Sequence, residues 1–288
     1  MLRPAALVIV TANLCYGGTG RDPAGAGRLA ATLEVLEGTG AGVVLLQEVD
    51  AGGDPCQLHR HLWGIAGDLG MVPVLGPSAA IRSETGNHTA ILVDTSAGLR
   101  VTDQWPPPAP AGPRVPWCRA EITVPGLDGP LQACSVHLSA RSPSARVHAA
   151  ELIASYAAQH ARVGQVIAAG DWNDYPRLPA PGADELDALP GHARVSRCRP
   201  GPGGTWVPRH DVDDLLTTAG LVDLAARHDP AALAATTPDG ARADRVYATP
   251  GLAATLTSCR VLPIGSDHRA VTATFGLARG PTPAGLTA

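Results

Sequence analysis

Short apolar runs alternate along the chain with segments of helical periodicity. Continuous runs of Val, Ile, Leu and Ala predict buried strands, because a strand covered on both faces is apolar at every position. The predicted strands cover residues 7–10, 43–46, 90–93, 119–124, 131–138, 165–169, 246–247 and 270–275. Two of them, 119–124 and 131–138, flank a Pro-Gly-Leu-Asp-Gly turn and are predicted to form a β-hairpin.

Helix starts are marked by a capping residue followed by proline at the first helical position. This signal occurs at Asp22-Pro23, Asp54-Pro55 and Ser142-Pro143, and the third helix is expected to continue to about His160. Apolar stripes support the first two helices. They consist of Leu29, Leu33 and Leu36, and of Leu58, Leu62, Ile65 and Leu69. A shorter helix is predicted from Asp211 to Gly220.

The remaining segments are rich in proline and glycine and predict loops. Residues 104–116 and 176–210 are expected to be irregular, and 277–288 a loose tail. No internal repeat or break in composition divides the chain. We therefore expect one α/β domain over residues 1–276, with more strands than helices.

Composition and charge limit the classes of function. All 22 basic residues are arginine and the net charge is −4, which argues mildly against a processive nuclease of duplex DNA. No apolar run reaches the roughly 20 residues that a membrane span needs. The apolar N-terminus, residues 1–10, is interpreted as a core strand rather than a signal peptide. A cytoplasmic location is therefore the default expectation, and the oligomeric state stays open.

The six cysteines show no zinc-site spacing. Cys15, Cys118 and Cys134 lie in or beside strand-like runs and are interpreted as small buried hydrophobes. Cys56 and Cys198 are the one pair considered for a disulfide, and we do not expect that bond to form.

Polar residues recur where the predicted strands begin or end. These residues are Asn13, Glu48, His137, Asp171, Asn173, Asp244, Asp267 and His268. Each alone has a structural explanation: an exposed loop carboxylate for Glu48, an Asx turn for Asp171, a buried core histidine for His137, a strand cap for Asp267-His268. Their joint occurrence at strand tips is better explained by a site, because loops at strand ends are held rigidly by the sheet.

The residue types suit a cation and a phosphate. Mg²⁺ prefers oxygen ligands and keeps several waters, so a few carboxylates or amides suffice, and Glu48, Asp267 and Asn13 offer them. Hydrolysis also requires an oriented water, a proton acceptor and stabilisation of the leaving oxygen. Asp171, Asn173 and the histidines offer these functions.

The same motifs carry a family resemblance. The ordered series Thr-Ala-Asn13, Leu-Leu-Gln-Glu48, Ser-Val-His137-Leu, Gly-Asp171-Trp-Asn173, Ala-Asp244-Arg-Val and Gly-Ser-Asp267-His268 resembles the endonuclease/exonuclease/phosphatase superfamily over residues 7–275. The resemblance implies a four-layer α-β-β-α sandwich of the deoxyribonuclease I type, with two mixed sheets packed face to face and helices outside. It also implies a phosphoesterase that uses Mg²⁺ or Mn²⁺ and acts on a nucleic acid, a nucleotide or a small phosphorylated molecule.

The resemblance also implies roles for single residues. Glu48 would be the main metal ligand, with Asn13 and Asp267 completing the shell. Asp171 would orient or deprotonate the water, and Asn173 would contact the phosphate. Asp244 would hydrogen-bond His268, His137 would serve as acid or electrostatic stabiliser, and Arg119 would contact the phosphate.

Three departures and two alternatives accompany this hypothesis. Cys15 stands where abasic-site endonucleases carry an acidic residue, and His137 where they tend to show tyrosine, so the resemblance favours the deoxyribonuclease I-like or phosphatase-like branches. Arg245 replaces a commoner aromatic. His88 is interpreted either as a phosphate contact or, preferably, as a solvent-facing strand start. The alternatives are a binding protein that lost the chemistry and a zinc hydrolase, for which the sequence lacks a ligand motif.

Overall fold

The computed structural model describes residues 6–18, 25–49, 55–75, 88–104, 117–228 and 230–277. Two six-stranded mixed sheets dominate this part of the chain. The first, sheet A, has the strand order β13-β14-β1-β2-β4-β3. Its strands are β1 (Ala6–Asn13), β2 (Val43–Gln47), β3 (Val72–Leu75), β4 (Ala90–Val93), β13 (Leu256–Pro263) and β14 (Arg269–Gly276).

Sheet B has the order β11-β12-β8-β7-β6-β5. Its strands are β5 (Arg100–Asp103), β6 (Trp117–Thr123), β7 (Leu131–His137), β8 (Gln165–Asp171), β11 (Val222–Asp223) and β12 (Asp244–Ala248). The predicted hairpin is confirmed, since β6 and β7 pair antiparallel from Trp117 opposite Val136 to Ile122 opposite Leu131. A separate two-stranded ribbon joins β9 (Cys198–Pro200) to β10 (Trp206–Pro208).

Helices pack on the outer faces of the sheets and beside them. They are α1 (Gly25–Gly38), α2 (Pro55–Asp68), α3 (Pro143–His160), α4 (Ala183–Ala188), α5 (Gly191–Arg197), α6 (Asp211–Thr218), α7 (Leu224–His228) and α8 (Pro250–Ala253). Ser142 caps α3 as predicted, because its side chain accepts a hydrogen bond from the Ala145 backbone N–H at 3.2 Å. Within the described residues, no helix combines the length and apolar character needed to cross a membrane.

Three hydrophobic layers hold the molecule together. The central layer lies between the sheets and includes Ile9, Val271 and Val246. The stripe on α2 packs against sheet A, and α3 and α6 pack against the outer face of sheet B. This arrangement is the predicted four-layer α-β-β-α sandwich.

One local prediction is wrong, and several strands were missed. Residues 176–210 are not irregular throughout, since they form α4, α5 and the β9–β10 ribbon around a small apolar cluster. Strands β3, β5, β11 and β13 were not predicted. The caps at Asp22 and Asp54, most of the 104–116 loop and the tail beyond residue 277 lie outside the described residues, as does the side chain of Cys56. Cys198 is a free thiol.

Candidate active site

Sheet B places three polar side chains in a row at one end. His137 ends β7, Asp171 ends β8 and Asp244 begins β12. The registers pair His137 with Asp171 and Asp171 with Asp244, so the three residues are direct neighbours across adjacent strands. All three are buried. Strand pairing therefore fixes their relative positions.

Strands β7 and β8 approach each other closely one residue before Asp171 and His137. Gly170 has φ 150°, and a Cβ atom there would lie 1.8 Å from the backbone oxygen of Val136. Only glycine fits such a contact. The Gly-Asp pair thus has a structural reason, because the glycine lets the Asp171 strand end pack tightly beside the His137 strand end.

Sheet A supplies the facing groups. Asn13 ends β1 opposite Gln47 of the parallel strand β2, and Glu48 follows directly. His268 directly precedes β14, which runs antiparallel to β1, so it lies at the same end of the sheet. Glu48 has φ 53°, a left-handed backbone conformation that is uncommon outside glycine.

A buried polar bridge joins the sheets beneath these groups. Gln47 donates from Nε2 to Ser135 Oγ at 3.0 Å, and Ser135 Oγ donates to the Leu46 carbonyl at 2.8 Å. Thr11 Oγ1 donates to Gln47 Oε1 at 3.2 Å. The glutamine of the Gln-Glu motif therefore ties β2 to β7 directly below the candidate site.

The two sets of side chains meet in one cluster. Asn13 Nδ2 lies 3.3 Å from both Glu48 Oε1 and Asp171 Oδ2. His137 Nε2 lies 3.5 Å from Asp171 Oδ2 and 3.7 Å from Glu48 Oε1. His268 Nε2 lies 3.9 Å from Asp171 Oδ2. The structure thus brings together five of the predicted residues, four of them gathered around the Asp171 carboxylate.

Asp244 and His268 form a tight pair, as predicted. The distance from His268 Nδ1 to Asp244 Oδ2 is 2.8 Å. Burial alone would lower the pKa of His268, but the charge and hydrogen bond of Asp244 outweigh it and raise that pKa to about 10. The imidazole is therefore cationic at neutral pH in the metal-free protein.

Asp171 has the opposite balance. Burial opposes ionisation of its carboxyl group, yet His268, His137 and the Asn173 backbone N–H together lower the Asp171 pKa. The Asn173 N–H donates to Asp171 Oδ1 at 2.9 Å. The ionised form of the buried Asp171 carboxyl group is consequently favoured.

Several oxygens suit a divalent cation. Asp171, Asp244 and His268 each bring one ligand atom within 4.8 Å of the others. Within the described part of the chain, the buried Asp244 Oδ1 has no hydrogen-bond partner, so it is available to a cation. Glu48 adds a partly exposed carboxylate. The carboxylates of this set fit a hard cation with a mixed protein and water shell, whereas His268 could bind one only after losing a proton.

The other two predicted ligands differ in position, since Asp267 lies at the edge of the cluster and Asn13 is buried between Glu48 and Asp171. Asp267 is exposed, and the Cys15 thiol donates a hydrogen bond to it; burial and then this bond raise the pKa of Cys15 to about 12. Asn13 Oδ1 accepts from the Cys15 backbone N–H at 3.0 Å. In this arrangement the Asn13 amide orients the two carboxylates rather than presenting its oxygen.

Three further residues are placed differently from the sequence interpretation. Arg119 is not brought to the cluster: its Cζ lies 4.6 Å and 4.7 Å from the ring centroids of Trp117 and Tyr156, on the outer face of sheet B. The preferred interpretation of His88 as solvent-facing is wrong, because its side chain is buried. Asn173 is buried and donates from Nδ2 to the Leu138 carbonyl at 3.0 Å, which holds the loop after β8.

Sequence analysis missed two residues near the cluster. Tyr16 donates its backbone N–H to Glu48 Oε2 at 3.0 Å. Arg197, in the 176–210 segment, pairs with Asp239 and adds positive potential at Asp171. No motif marked Arg197, because its position depends on the fold of α5 and the β9–β10 ribbon.

Comparison with known proteins places the chain in a family. The family model described as "Endonuclease/Exonuclease/phosphatase family" matches residues 10–268. No curated protein matches the chain. Among solved structures, an AP endonuclease from Archaeoglobus fulgidus has a TM-score of 0.65 at 17% identity, covering 94% of this chain and 100% of its own.

Two other structures have the same fold. An endonuclease/exonuclease/phosphatase from Bacteroides vulgatus has a TM-score of 0.66 at 15% identity, covering 95% of this chain and 99% of its own. The 3′ phosphatase NExo from Neisseria, bound to a product DNA hairpin, has a TM-score of 0.61 at 19% identity, covering 93% and 99%. The family match over most of the chain, the deoxyribonuclease I-like sandwich and the strand-tip cluster agree: the chain belongs to the endonuclease/exonuclease/phosphatase family.

Proposed function

We propose that this protein is a divalent-metal-dependent phosphoesterase that hydrolyses its substrate by attack of an activated water. One observation carries the proposal. Carboxylates, amides and imidazoles from both sheets converge around the Asp171 carboxylate, where a phosphate ester and a water can be held together. A family member that had lost the chemistry would have no need for this convergence.

Asp171 is the proposed proton acceptor. Its carboxylate is buried, ionised and oriented by Asn173 and Asn13. A carboxylate held in this way can take the proton of a water aligned with the phosphorus. Asn173 acts in the proposal by fixing Asp171 and the adjoining loop.

The two histidines are proposed to stabilise charge. His268 is cationic at neutral pH because the Asp244 carboxylate, which accepts a hydrogen bond from His268 Nδ1, raises the pKa of the imidazole. Fixed positive charge beside the reacting group favours the transition state, in which negative charge shifts towards the leaving oxygen. His137 lies on the other side of Asp171 and is proposed to face the leaving group as a hydrogen-bond donor.

Mg²⁺ or Mn²⁺ is the proposed cofactor. Glu48 is its main protein ligand in the proposal, with Asp267 completing the shell. Asn13, whose Oδ1 accepts from the Cys15 N–H, positions Glu48 and Asp171 instead of binding the ion. When bound, such an ion polarises the phosphoryl oxygens and offsets their charge.

The substrate is proposed to be a phosphodiester or phosphomonoester of a nucleic acid, a nucleotide or a small molecule. The DNA bound to NExo supports the first of these classes. The net charge of −4 favours a short or small substrate over long duplex DNA. The alternative, a binding protein without activity, predicts phosphate-ester binding without turnover.

The first experiment tests the metal. Hydrolysis of bis-p-nitrophenyl phosphate and p-nitrophenyl phosphate is measured after chelation and after addition of Mg²⁺, Mn²⁺ or Zn²⁺. We expect chelation to abolish turnover and Mg²⁺ or Mn²⁺ to restore it. Turnover that persists in chelator contradicts the proposal, and the two esters distinguish diesterase from monoesterase activity.

The second experiment tests the roles. Asp171→Asn and His268→Ala are each expected to lower kcat at least ~10²-fold, the scale for losing a catalytic acid or base. Asp214→Asn and His148→Ala are matched controls, because both residues are substantially exposed in ion pairs with Arg177 and Glu151. Losses below tenfold for both Asp171→Asn and His268→Ala would show that the roles are wrongly assigned.

A further inference from the structure

The segment Cys15–Gly18, which we call the rim loop, is held rigidly beside the candidate site. The Tyr16 N–H donates to Glu48 Oε2 at 3.0 Å and the Gly17 N–H to the Glu48 carbonyl at 2.6 Å. On its other side, His61 Nε2 of α2 lies 2.8 Å from the Gly17 carbonyl oxygen. Gly18 packs so closely on α1 that a Cβ atom would lie 2.9 Å from Leu29 Cβ. The backbone of the rim loop is therefore fixed from three directions.

All four residues of the rim loop have positive φ, and Tyr16 is the bulkiest of them. It has φ 55°, a left-handed conformation that is a genuine outlier for a bulky residue, and its side chain is 58% exposed. An exposed ring gains little packing that would offset the strain. Glycine or asparagine would suit the backbone better, so the fold alone does not explain a tyrosine here.

The scarcity of aromatic residues makes this position more informative. Of the nine aromatic side chains that the structure describes, only Tyr16 and Trp63 are among the large apolar residues left exposed. Trp63 lies on α2, where Trp63 and His61 are two positions apart and so point to different sides of the helix. Tyr16, by contrast, is one hydrogen bond from a proposed metal ligand.

We propose that the Tyr16 ring is a substrate-binding platform that stacks on a planar group joined to the scissile phosphate, such as a nucleobase or an aryl group. A phosphate held at Glu48 and Asp171 would lie beside the Tyr16 backbone, which is bonded to Glu48, so that its ester substituent could reach the exposed ring. A rigid backbone keeps the ring in place before the substrate arrives, which reduces the entropy lost on binding. The inference rests on the proposed function, which sets where the phosphate lies.

The test measures binding separately from turnover. Calorimetry in Mg²⁺ gives the Kd of adenosine 5′-monophosphate, phenyl phosphate and glycerol 3-phosphate for the wild type, Tyr16→Leu, Tyr16→Phe and Trp63→Leu. Stacking of one base on an aromatic side chain corresponds to a roughly 5- to 150-fold change in Kd. We therefore expect Tyr16→Leu to weaken binding of the ring-bearing phosphates at least about fivefold and to leave glycerol 3-phosphate within about twofold.

The controls separate stacking from other effects. Tyr16→Phe keeps the ring and is expected to keep the preference for ring-bearing phosphates, and Trp63→Leu is expected to match the wild type. Tyr16→Gly relieves the strained backbone, so its Tm should be equal to or above that of the wild type, whereas a structural role for the ring would lower it.

Each outcome decides a different point. A loss confined to the nucleotide supports the platform and names a nucleobase; a loss for both ring-bearing phosphates supports any planar group. An equal loss for all three ligands, no loss for any, or no binding to the wild type overturns the inference. Ring-selective binding without hydrolysis of any ester would contradict the proposed function and still support the Tyr16 platform. Hydrolysis without ring selectivity would support the proposed function and contradict the platform.

Discussion

Replacing Asp244 by asparagine removes the charge that keeps His268 protonated. The substitution preserves the size of the side chain, and its amide oxygen can still accept a hydrogen bond from His268 Nδ1. What disappears is the negative charge 2.8 Å from the imidazole. Without it, burial acts against the imidazolium ion, and we expect the pKa of His268 to fall sharply.

The magnitude follows from the pKa values. The pKa of His268 is raised from 6.5 to about 10, and each unit corresponds to about 1.4 kcal/mol. Loss of the whole shift would amount to about 5 kcal/mol as an upper limit. The remaining Asp171 carboxylate, 3.9 Å from His268 Nε2, retains part of it. We therefore expect the His268 pKa to fall by at least about two units in Asp244→Asn.

Imidazole NMR titration in the presence of chelator measures this directly. The His268 signals of the variant should titrate near neutral pH. The signals of the half-exposed His148 should not differ between the two proteins and serve as the control. Stability gives an independent check with a defined sign. A raised histidine pKa stabilises the folded protein below pH 6.5, and this contribution is lost as the pH rises through about 10. The difference in free energy of unfolding between wild type and Asp244→Asn should shrink across that range. A His268 pKa within one unit of the wild type would refute the reasoning.

Two further predictions concern the framework of the site. Gly170→Ala forces a Cβ atom against the Val136 carbonyl and should lower the free energy of unfolding by about 2 kcal/mol or more in urea denaturation. Gly64→Ala, in open space on α2, is the matched control and should raise it by up to about 1 kcal/mol; similar values for both would contradict the packing argument. Gln47→Leu removes the bridge to Ser135 and should lower the free energy of unfolding by about 1–3 kcal/mol in urea denaturation. It should also lower kcat for ester hydrolysis. Unchanged stability would exclude a bridging role.

The sandwich could be predicted from the sequence wherever several local signals agreed. The helix α3 illustrates this, because a capping residue, Ser142, and a proline at the first helical position, Pro143, indicated the same start. The edge strand β13 was missed because its sequence, Leu-Thr-Ser-Cys-Arg-Val-Leu-Pro, is only partly buried and lacks a continuous apolar run. The 176–210 segment was missed because glycine and proline obscure short elements that depend on tertiary contacts for stability.

The candidate site was predictable to a similar degree. The recurrence of polar residues at the ends of predicted strands identified the residues that converge on Asp171. Strand ends lie together at one end of a sheet whatever the details of side-chain packing. Arg119 was misassigned because the direction of its side chain depends on strand parity. Cys118 and Ala120 face the core between the sheets, so Arg119 must face outward. Arg197 depends on a fold that the local sequence does not specify.

The division of the site between the two sheets has a consequence for how activity should respond to stress. Sheet B contributes His137, Asp171 and Asp244, while Asn13, Glu48 and His268 come from sheet A. Neither sheet carries all of these side chains, so the packing of the sheets across the central apolar layer determines the distances within the cluster. Mild denaturant or pressure that shifts one sheet relative to the other should therefore inactivate the protein before its helices or strands unfold. Turnover would then report on the packing of the two sheets more sensitively than the secondary structure does.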